Sequence, residues 1–178
     1  MIRGPNICVR HIYRSDLPAL IPLLNELEVR GEYLPNGLLS PVELERRFDL
    51  DGMSNDNFER LLIVNGEAKV VGTIWHFKSV PYFNAREIGY TMLSAEHRGA
   101  GMASEAVALL SRHLFDSLLI NRLEIRMDTR NLASEKVAIK CGYTREGVAR
   151  GANFVRGQHV DMNVYALLRQ ELPSRAPG

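Results

Sequence analysis

Apolar side chains recur every three or four residues in several stretches of the chain, and this is the period of a helix with one buried face. In the first stretch the residues that share such a face are Leu17, Leu20, Ile21, Leu24 and Leu27. Ser40, Pro41 and Glu43 form a helix-start signature, and Gly142 suits a left-handed helix cap. The pattern predicts helices over 16–28, 41–50, 101–118 and 131–142.

Between these stretches, short runs rich in β-branched and aromatic residues predict strands. They cover 6–13, 58–64, 69–78, 85–93 and 121–130, with two closing strands within 143–170. The first pair after the helices flanks the turn "NGE" and is predicted to be a hairpin. Residues 31–40 contain Gly and Pro and are expected to be a loop. The element order predicts an α/β fold with a mixed, largely antiparallel sheet and helices on both faces.

Composition indicates one globular domain over residues 1–178, with a frayed tail at 171–178. The chain has 178 residues, of which 46% are hydrophobic and 24% are charged. The net charge of +1 gives no electrostatic argument for nucleic acid. No apolar stretch approaches the roughly 20 residues that span a bilayer, and the N-terminus lacks the apolar core of a signal peptide. Cys8 and Cys141 form neither a metal motif nor a disulfide framework. We therefore expect a cytoplasmic protein without nucleic-acid or membrane partners.

The run Arg98-Gly99-Ala100-Gly101 lies between a predicted strand and a predicted helix. Glycines let a backbone approach an anion closely. The free N–H groups and the dipole of a helix start favour negative charge, and Arg98 adds a fixed positive charge. The run is therefore a candidate pyrophosphate site, although a plain loop ending in a helix cap would have the same sequence.

Two common nucleotide-binding motifs do not fit this loop. A Rossmann fingerprint would need Gly-x-Gly-x-x-Gly after the first strand, but position 104 is Ser and the loop lies in the middle of the chain. A P-loop would need Gly-Lys-Ser/Thr, which is absent.

Arg98-x-x-Gly101-x-Ala103 resembles the Arg/Gln-x-x-Gly-x-Gly/Ala motif of the GNAT superfamily, the acyl-CoA-dependent N-acetyltransferases. Three longer strings resemble its RimJ/RimL-type branch: "EIGYTMLSAEHRGAGMASEAVALL", "NLASEKVAIKCGYTREGVAR" and "GQHVDMNVYALLRQE". The resemblance covers about residues 7–170. It implies the GNAT fold, with six or seven strands splayed apart after 85–93 and about four helices.

The resemblance also implies acetyl-CoA as the co-substrate, with no metal. Its pantetheine arm would pair with backbone at Met92 and Leu93. Its pyrophosphate would bind at Arg98, Gly99, Ala100, Gly101, Met102 and Ala103. Asn131 resembles the residue that holds the pantetheine arm, and it is also a favourable N-cap for the following helix; both roles are compatible.

Glu87 is the candidate base for the amine. It falls where many members carry a base glutamate. On a strand it shares a face with Gly89 and Thr91, and the glycine would leave room for substrate. A peptide α-amine, with a pKa of about 8, would need only a modest base. The alternative for Glu87 is an ion pair with Arg86, Arg126 or a lysine.

The thioester carbonyl would be polarised by the backbone N–H of Met92 or Leu93. Many family members place a tyrosine seven residues beyond the asparagine, to help the thiolate leave. That position here is Ala138, which departs from the pattern. Ser134 of Asn-x-x-Ser is the candidate in its place, as a hydrogen-bond donor to sulfur. Its alternative is a first-turn residue that bonds the Asn131 backbone.

Glu32 and Tyr33 could hold the acceptor amine, and His76 is a candidate contact if its strand faces the acceptor. The alternative for His76 is a satisfied surface or core histidine. The predicted function is transfer of an acetyl group to a primary amine, either a protein N-terminus or a small molecule such as an antibiotic, a polyamine or an amino acid derivative. By similarity a homodimer is expected, and an exposed apolar final strand would support it. The alternative is an inactive acyl-CoA-binding sensor or interaction module.

Overall fold

The computed structural model describes residues 1–172. In chain order its elements are β1 (Ile2–Arg3), β2 (Ile7–His11), α1 (Leu17–Asn25), α2 (Leu27–Arg30), α3 (Pro41–Asp51), β3 (Phe58–Asn65), β4 (Val70–Phe77), β5 (Ala85–Met92), α4 (Met102–Ser117), β6 (Arg122–Asp128), α5 (Leu132–Lys140), β7 (Thr144–Val155) and β8 (Gln158–Leu168). Short 3-10 turns cover 14–16, 95–97 and 169–171.

The predicted α/β class and the predicted order of the longer elements are confirmed, but the predicted numbers of strands and helices were too low. Within residues 1–172 the sheet has eight strands, because a two-residue strand precedes the first predicted one. The predicted helix over 16–28 is two α-helices, since Glu26 takes an extended conformation between α1 and α2. Asn25 stabilises this break by pairing its side-chain amide with the backbone of Leu39. Of the predicted frayed tail, Glu171 belongs to a 3-10 turn, and 173–178 lie outside the described residues.

The sheet has the strand order β1-β2-β3-β4-β5-β6-β8-β7. All its neighbouring strands are antiparallel except β5 and β6. That parallel pair begins at Ala85 and Arg122 and ends at Glu87 and Glu124. Beyond Glu87 the two strands have no further register pairs, so the sheet opens into a gap between them. The predicted splay after 85–93 therefore begins inside β5.

Each face of the sheet buries its own apolar cluster. Ile74 and Ile88 pack with α4 and α5 on one face. Leu62 and Val64 pack with α1 and α3 on the other. Because side chains alternate along a strand, Glu87 lies on the face of α1 and α3, opposite Ile88. We call this second face the acceptor face.

No helix within residues 1–172 is long and apolar enough to cross a membrane. Over the same span, no group of three or more His, Cys, Asp and Glu side chains is arranged to hold a metal ion.

Candidate active site

The backbone of β5 presents free polar groups to the gap. Leu93 donates its N–H to the carbonyl of Val71 at 2.9 Å, so these two residues form a hydrogen-bonded pair of the antiparallel ladder. Such pairs alternate with non-bonded ones, and Met92 lies opposite Gly72 in the next position. The N–H and C=O groups of Met92 and Tyr90 therefore point away from β4, toward the gap. Of the two predicted carbonyl-polarising residues, Met92 has a free N–H, whereas the N–H of Leu93 is used in the sheet.

The predicted phosphate loop follows β5 and ends at the start of α4. Gly99 and Gly101 have φ angles of 79° and 80°, in the left-handed region that side chains rarely adopt. Gly101 is the N-cap of α4 and provides no side-chain cap. Helix geometry leaves the first N–H groups of α4 without intrahelical acceptors, and these belong to Met102 and Ala103. The loop thus combines open backbone donors with the positive end of a helix.

Lys140 is a cation near this loop that the sequence reasoning missed. Its Nζ lies 3.7 Å from the position that a Cβ at Gly101 would occupy. Arg98 was predicted to add charge here, but its Nη2 approaches the carbonyl of Val29 at 3.4 Å. Lys140 is the last residue of α5, and only the packing of α5 against α4 brings it to the loop.

Glu87 lies at the point where β5 and β6 separate. Its Oε2 is 3.5 Å from Nε of Arg126, and its side chain is only 16% exposed. Burial raises the pKa of Glu87 to about 7, and the charge of Glu124 adds to the rise, against the opposing effects of Arg126 and Ser79. A carboxylate with a pKa near neutral can take a proton at physiological pH. Both the predicted ion pair with Arg126 and a base-like pKa are therefore present.

One premise about the surroundings of Glu87 was wrong. The space beside Gly89 was expected to be free for substrate, but the indole ring of Trp75 fills it. A Cβ placed on Gly89 would meet this ring at 2.4 Å. The indole packs against Gly89 so closely that a larger residue would not fit at this position. Trp75 therefore forms part of the wall beside Glu87.

Asn131 and Ser134 lie across the gap from β5, at the start of α5. The side-chain oxygen of Asn131 accepts the N–H of Ser134 at 3.0 Å, so Asn131 is the N-cap. This bond leaves the amide NH₂ group of Asn131 for another partner. The hydroxyl of Ser134 does not bond the Asn131 backbone; its Oγ lies 2.8 Å from the hydroxyl of Tyr90.

Tyr90 was not among the predicted site residues. Its phenol is buried, and burial raises the pKa of Tyr90 to about 12, so the hydroxyl stays protonated at neutral pH. Ala138, where many family members carry a tyrosine, is completely buried. Tyr90 thus brings a phenol from strand β5 to the first turn of the helix that contains Ala138. Its position inside the string "EIGYTML" is the signal that could have found it.

The three predicted acceptor residues do not come together. Tyr33 donates its hydroxyl to the carbonyl of Arg130 at 3.2 Å, which places the 31–33 segment next to β6. Glu32 precedes Tyr33 in this segment, and its carboxylate raises the pKa of Tyr33. His76 pairs with Ile88 across β4 and β5, so it lies on the face opposite Glu87. There its Nε2 lies 2.8 Å from Oε2 of Glu59.

Comparisons with known proteins show the family of this chain. The sequence model of the acetyltransferase (GNAT) domain family matches residues 6–144. A probable N-acetyltransferase of Bacillus subtilis, YjcK, is 33% identical over an alignment of 183 positions, gaps included, which covers 96% of this chain and 98% of that relative. The ribosomal-protein-serine acetyltransferase of Escherichia coli is 29% identical over 109 residues, 61% of this chain and 60% of that protein.

A solved structure has the same fold. RimL, a ribosomal L7/L12 alpha-N-protein acetyltransferase in complex with coenzyme A, superimposes with a TM-score of 0.81 at 24% identity. The match covers 93% of this chain and 95% of RimL. This chain belongs to the GNAT family of acetyltransferases. The predicted family and the enzyme class, an acetyl-CoA-dependent N-acetyltransferase, are confirmed, and the likeness to a ribosomal-protein-serine acetyltransferase supports the predicted RimJ/RimL-type branch.

Proposed function

We propose that the gap between β5 and β6 binds acetyl-CoA, and that the acceptor is a primary amine bound on the acceptor face. The observation that carries the proposal is the position of Glu87, a buried carboxyl with a pKa of about 7 at the apex of the gap. The free backbone groups of Met92 and Tyr90 would pair with the pantetheine arm as an added strand would. The N–H groups at the start of α4, with Lys140, would hold the pyrophosphate.

In the proposed reaction the amine nitrogen attacks the thioester carbonyl carbon directly. The N–H of Met92 donates to the carbonyl oxygen as negative charge develops there. The C–N bond forms, the C–S bond breaks, and the nitrogen loses a proton to Glu87. This transfer requires the ionised form of Glu87, so the base is available above a pH of about 7.

Ser134 and Tyr90 are proposed to assist the leaving thiolate. If Tyr90 donates to Oγ of Ser134, the serine proton is free to bond the sulfur. The pKa of Tyr90, about 12, is far above that of a thiol, about 8.5, so the pair acts by hydrogen bonding. The thiolate then takes its proton from water. A hydroxyl pair would in this way replace the tyrosine that position 138 lacks.

A protein N-terminal α-amine or a small-molecule amine is the proposed acceptor class. The likeness to a ribosomal-protein-serine acetyltransferase supports the first. Glu32 and Tyr33 stay proposed acceptor contacts, because their segment borders the acceptor face. His76 has less support, since its ring is on the other face and is paired with Glu59.

A cytoplasmic location and a homodimer also remain proposals. The final strand β8 is paired on both sides, so it is not the exposed apolar strand that would support a dimer. The edge strand beside β8 is β7, where Val148 and Phe154 are 41% and 56% exposed. Light scattering on the purified chain measures the assembly directly.

The test of the transferase proposal is acetyl-CoA binding by calorimetry, followed by thiol release with a panel of amines and N-terminal peptides. We expect binding and thiol release with at least one acceptor. Ser134→Ala should lower kcat roughly tenfold or more with little change in acetyl-CoA affinity, and Tyr90→Phe should lower it less. Binding without release from any acceptor would instead favour the inactive binding module.

A further inference from the structure

A group of arginines lies on the acceptor face, two strands away from Glu87. Arg60 of β3 is paired with Trp75 of β4, which is paired with Gly89 of β5. Directly paired residues of an antiparallel sheet share a face, and Gly89 shares its face with Glu87. Positions 60, 75, 87 and 89 therefore lie on the same face of the sheet. Since adjacent strands are about 4.8 Å apart, Arg60 is about 10 Å across the sheet from the strand of Glu87.

Arg60 has aromatic neighbours but no anion. Its guanidinium carbon is 5.1 Å from the ring centroid of Trp75 and 5.8 Å from that of Phe58. Among the ion pairs and hydrogen bonds of residues 1–172, none involves this guanidinium. Burial, together with the charges of Arg47 and Arg30, lowers the pKa of Arg60 to about 10. A sheltered charge without a counter-ion is a cost to the folded protein.

Two further arginines add to this positive charge. Arg47 of α3 has its guanidinium carbon 5.6 Å from the ring centroid of Phe58, so it flanks the same ring as Arg60. Arg30 of α2 donates to the backbone carbonyls of Pro35 and Gly37, which leaves its charge uncompensated by a carboxylate. We call Arg30, Arg47 and Arg60 the arginine cluster.

Three acidic side chains, one on α3 and two on the acceptor face of β6, are already paired with other arginines. Glu43 of α3 binds Arg46, with 2.8 Å between Oε2 and Nε, rather than Arg47. On β6, Glu124 binds Arg122 and Arg126, and Asp128 binds Arg130. The acceptor face thus has compensated charge around Glu87 and β6, and uncompensated positive charge at the arginine cluster.

We propose that the arginine cluster binds an anionic group of the acceptor, a carboxylate or a phosphate, about 10 Å from the amine that reacts at Glu87. This inference rests on the proposed transferase function and names the substrate class. A guanidinium pairs both anions in a bidentate manner. Binding an anion there would supply the missing counter-ion. A polyamine, by contrast, would place a second cation beside three arginines.

Matched straight-chain acceptors test this directly. Three acceptors have the same reacting amine on chains of similar length and differ at the far end. They are 8-aminooctanoate, 8-aminooctan-1-ol and 1,8-diaminooctane. The phosphate ester of the alcohol separates the two anion types. We expect kcat/KM to be roughly tenfold or more higher for the carboxylate or the phosphate ester than for the alcohol, and lowest for the diamine.

Variants of the cluster identify where the preference arises. Arg60→Gln should reduce the anion preference to about one, mostly through KM, while kcat/KM for the neutral alcohol stays within about threefold. Arg47→Gln changes an exposed side chain and should give a partial loss even if Arg60→Gln folds poorly. Arg46→Gln is the matched control, because Arg46 lies next to Arg47 in α3 but pairs with Glu43.

Binding of the acetylated acid and the acetylated alcohol, measured by calorimetry, gives a readout that does not need turnover. Suppose that the acetylated acid binds the native chain more tightly than the acetylated alcohol does, and that Arg60→Gln abolishes this difference. The anion site is then supported even when no thiol is released, and only the transferase proposal fails. If thiol is released and the diamine is preferred, or if the anion preference survives in both arginine variants, the anion site is overturned while the transferase proposal stands.

Discussion

At the scale of single residues, two carboxyls of the sheet have opposite environments. Glu87 is desolvated and beside Glu124, so its pKa rises to about 7. Glu59 accepts hydrogen bonds from His76 and Ser54, so its pKa falls to about 2. Residue type alone would give both side chains the same pKa near 4.5. Their neighbours across the sheet make one a candidate base and the other a permanent anion.

The raised pKa of Glu87 predicts a cost to stability. An unfolded glutamate ionises near pH 4.5, whereas Glu87 in the folded chain keeps its proton until about pH 7. Stability should therefore fall as pH rises through this interval, and the full cost is present above about pH 7. We expect Glu87→Gln to be more stable than the native chain at about pH 8, by at most about 3 kcal/mol, and equal to it at about pH 4. Urea unfolding across pH checks this.

Glu59→Gln is the control of opposite sign. A lowered pKa stabilises the folded state above about pH 4.5, and that contribution is lost as pH falls toward 2. This variant should therefore be less stable than the native chain at neutral pH. If Glu87→Gln also loses stability at about pH 8, Glu87 is a satisfied ion-pair partner of Arg126 and not a strained base.

At the scale of elements, the start of α5 combines an observed helix cap with a proposed ligand role on one residue, Asn131. Asn131 uses its side-chain oxygen to cap the helix at the N–H of Ser134. Its NH₂ group donates none of the hydrogen bonds found within residues 1–172. The cap also holds the first turn that presents Ser134 to Tyr90. Structural and ligand roles can thus be separated by substitution at this position.

Two substitutions at Asn131 separate those roles. Asn131→Ser retains a good N-cap but removes the amide, so its free energy of unfolding should change by only a few tenths of a kcal/mol. Asn131→Ala removes both and should lose about 1 kcal/mol. We expect both to weaken acetyl-CoA binding roughly tenfold by calorimetry. Native affinity in Asn131→Ser would leave Asn131 with the capping role alone.

At the scale of the whole molecule, the gap comes from the short pairing of β5 with β6. Three register pairs join the strands, and the last is Glu87 with Glu124. Beyond it, β5 belongs to the antiparallel half of the sheet that contains β4, while β6 continues with β8. The strand therefore has one bonded and one open side, and its N–H groups alternate between the two.

This alternation predicts a hydrogen-exchange pattern. In the free protein the amides of Tyr90 and Met92 should exchange fast, because they face the gap, and those of Thr91 and Leu93 should be protected by β4. Saturating acetyl-CoA should slow Tyr90 and Met92 roughly tenfold or more and leave the other two nearly unchanged. NMR-detected exchange measures each amide. Equal protection of all four amides without acetyl-CoA would mean that the gap is closed in solution.

Much of this fold could be predicted from the chain because it depends on local periods. Long elements such as α4 and β5 were predicted to within a residue or two at each end, since apolar spacing and turn residues specify them. The glycines of the phosphate loop and the cap at Asn131 were also visible, because each acts on its own backbone. The break after Asn25 was missed, since Leu39, a distant residue, stabilises it.

The sequence by itself determined the elements, the family motifs and most candidate site residues, because these follow from residues close together in the chain. The tertiary structure decided which of them meet. Sheet register put His76 behind the sheet from Glu87, Trp75 over Gly89, and Tyr90 against Ser134. It also gathered Arg30, Arg47 and Arg60 from three separate elements. A period of two tells which residues of one strand share a face, but only pairing between strands determines what lies opposite them.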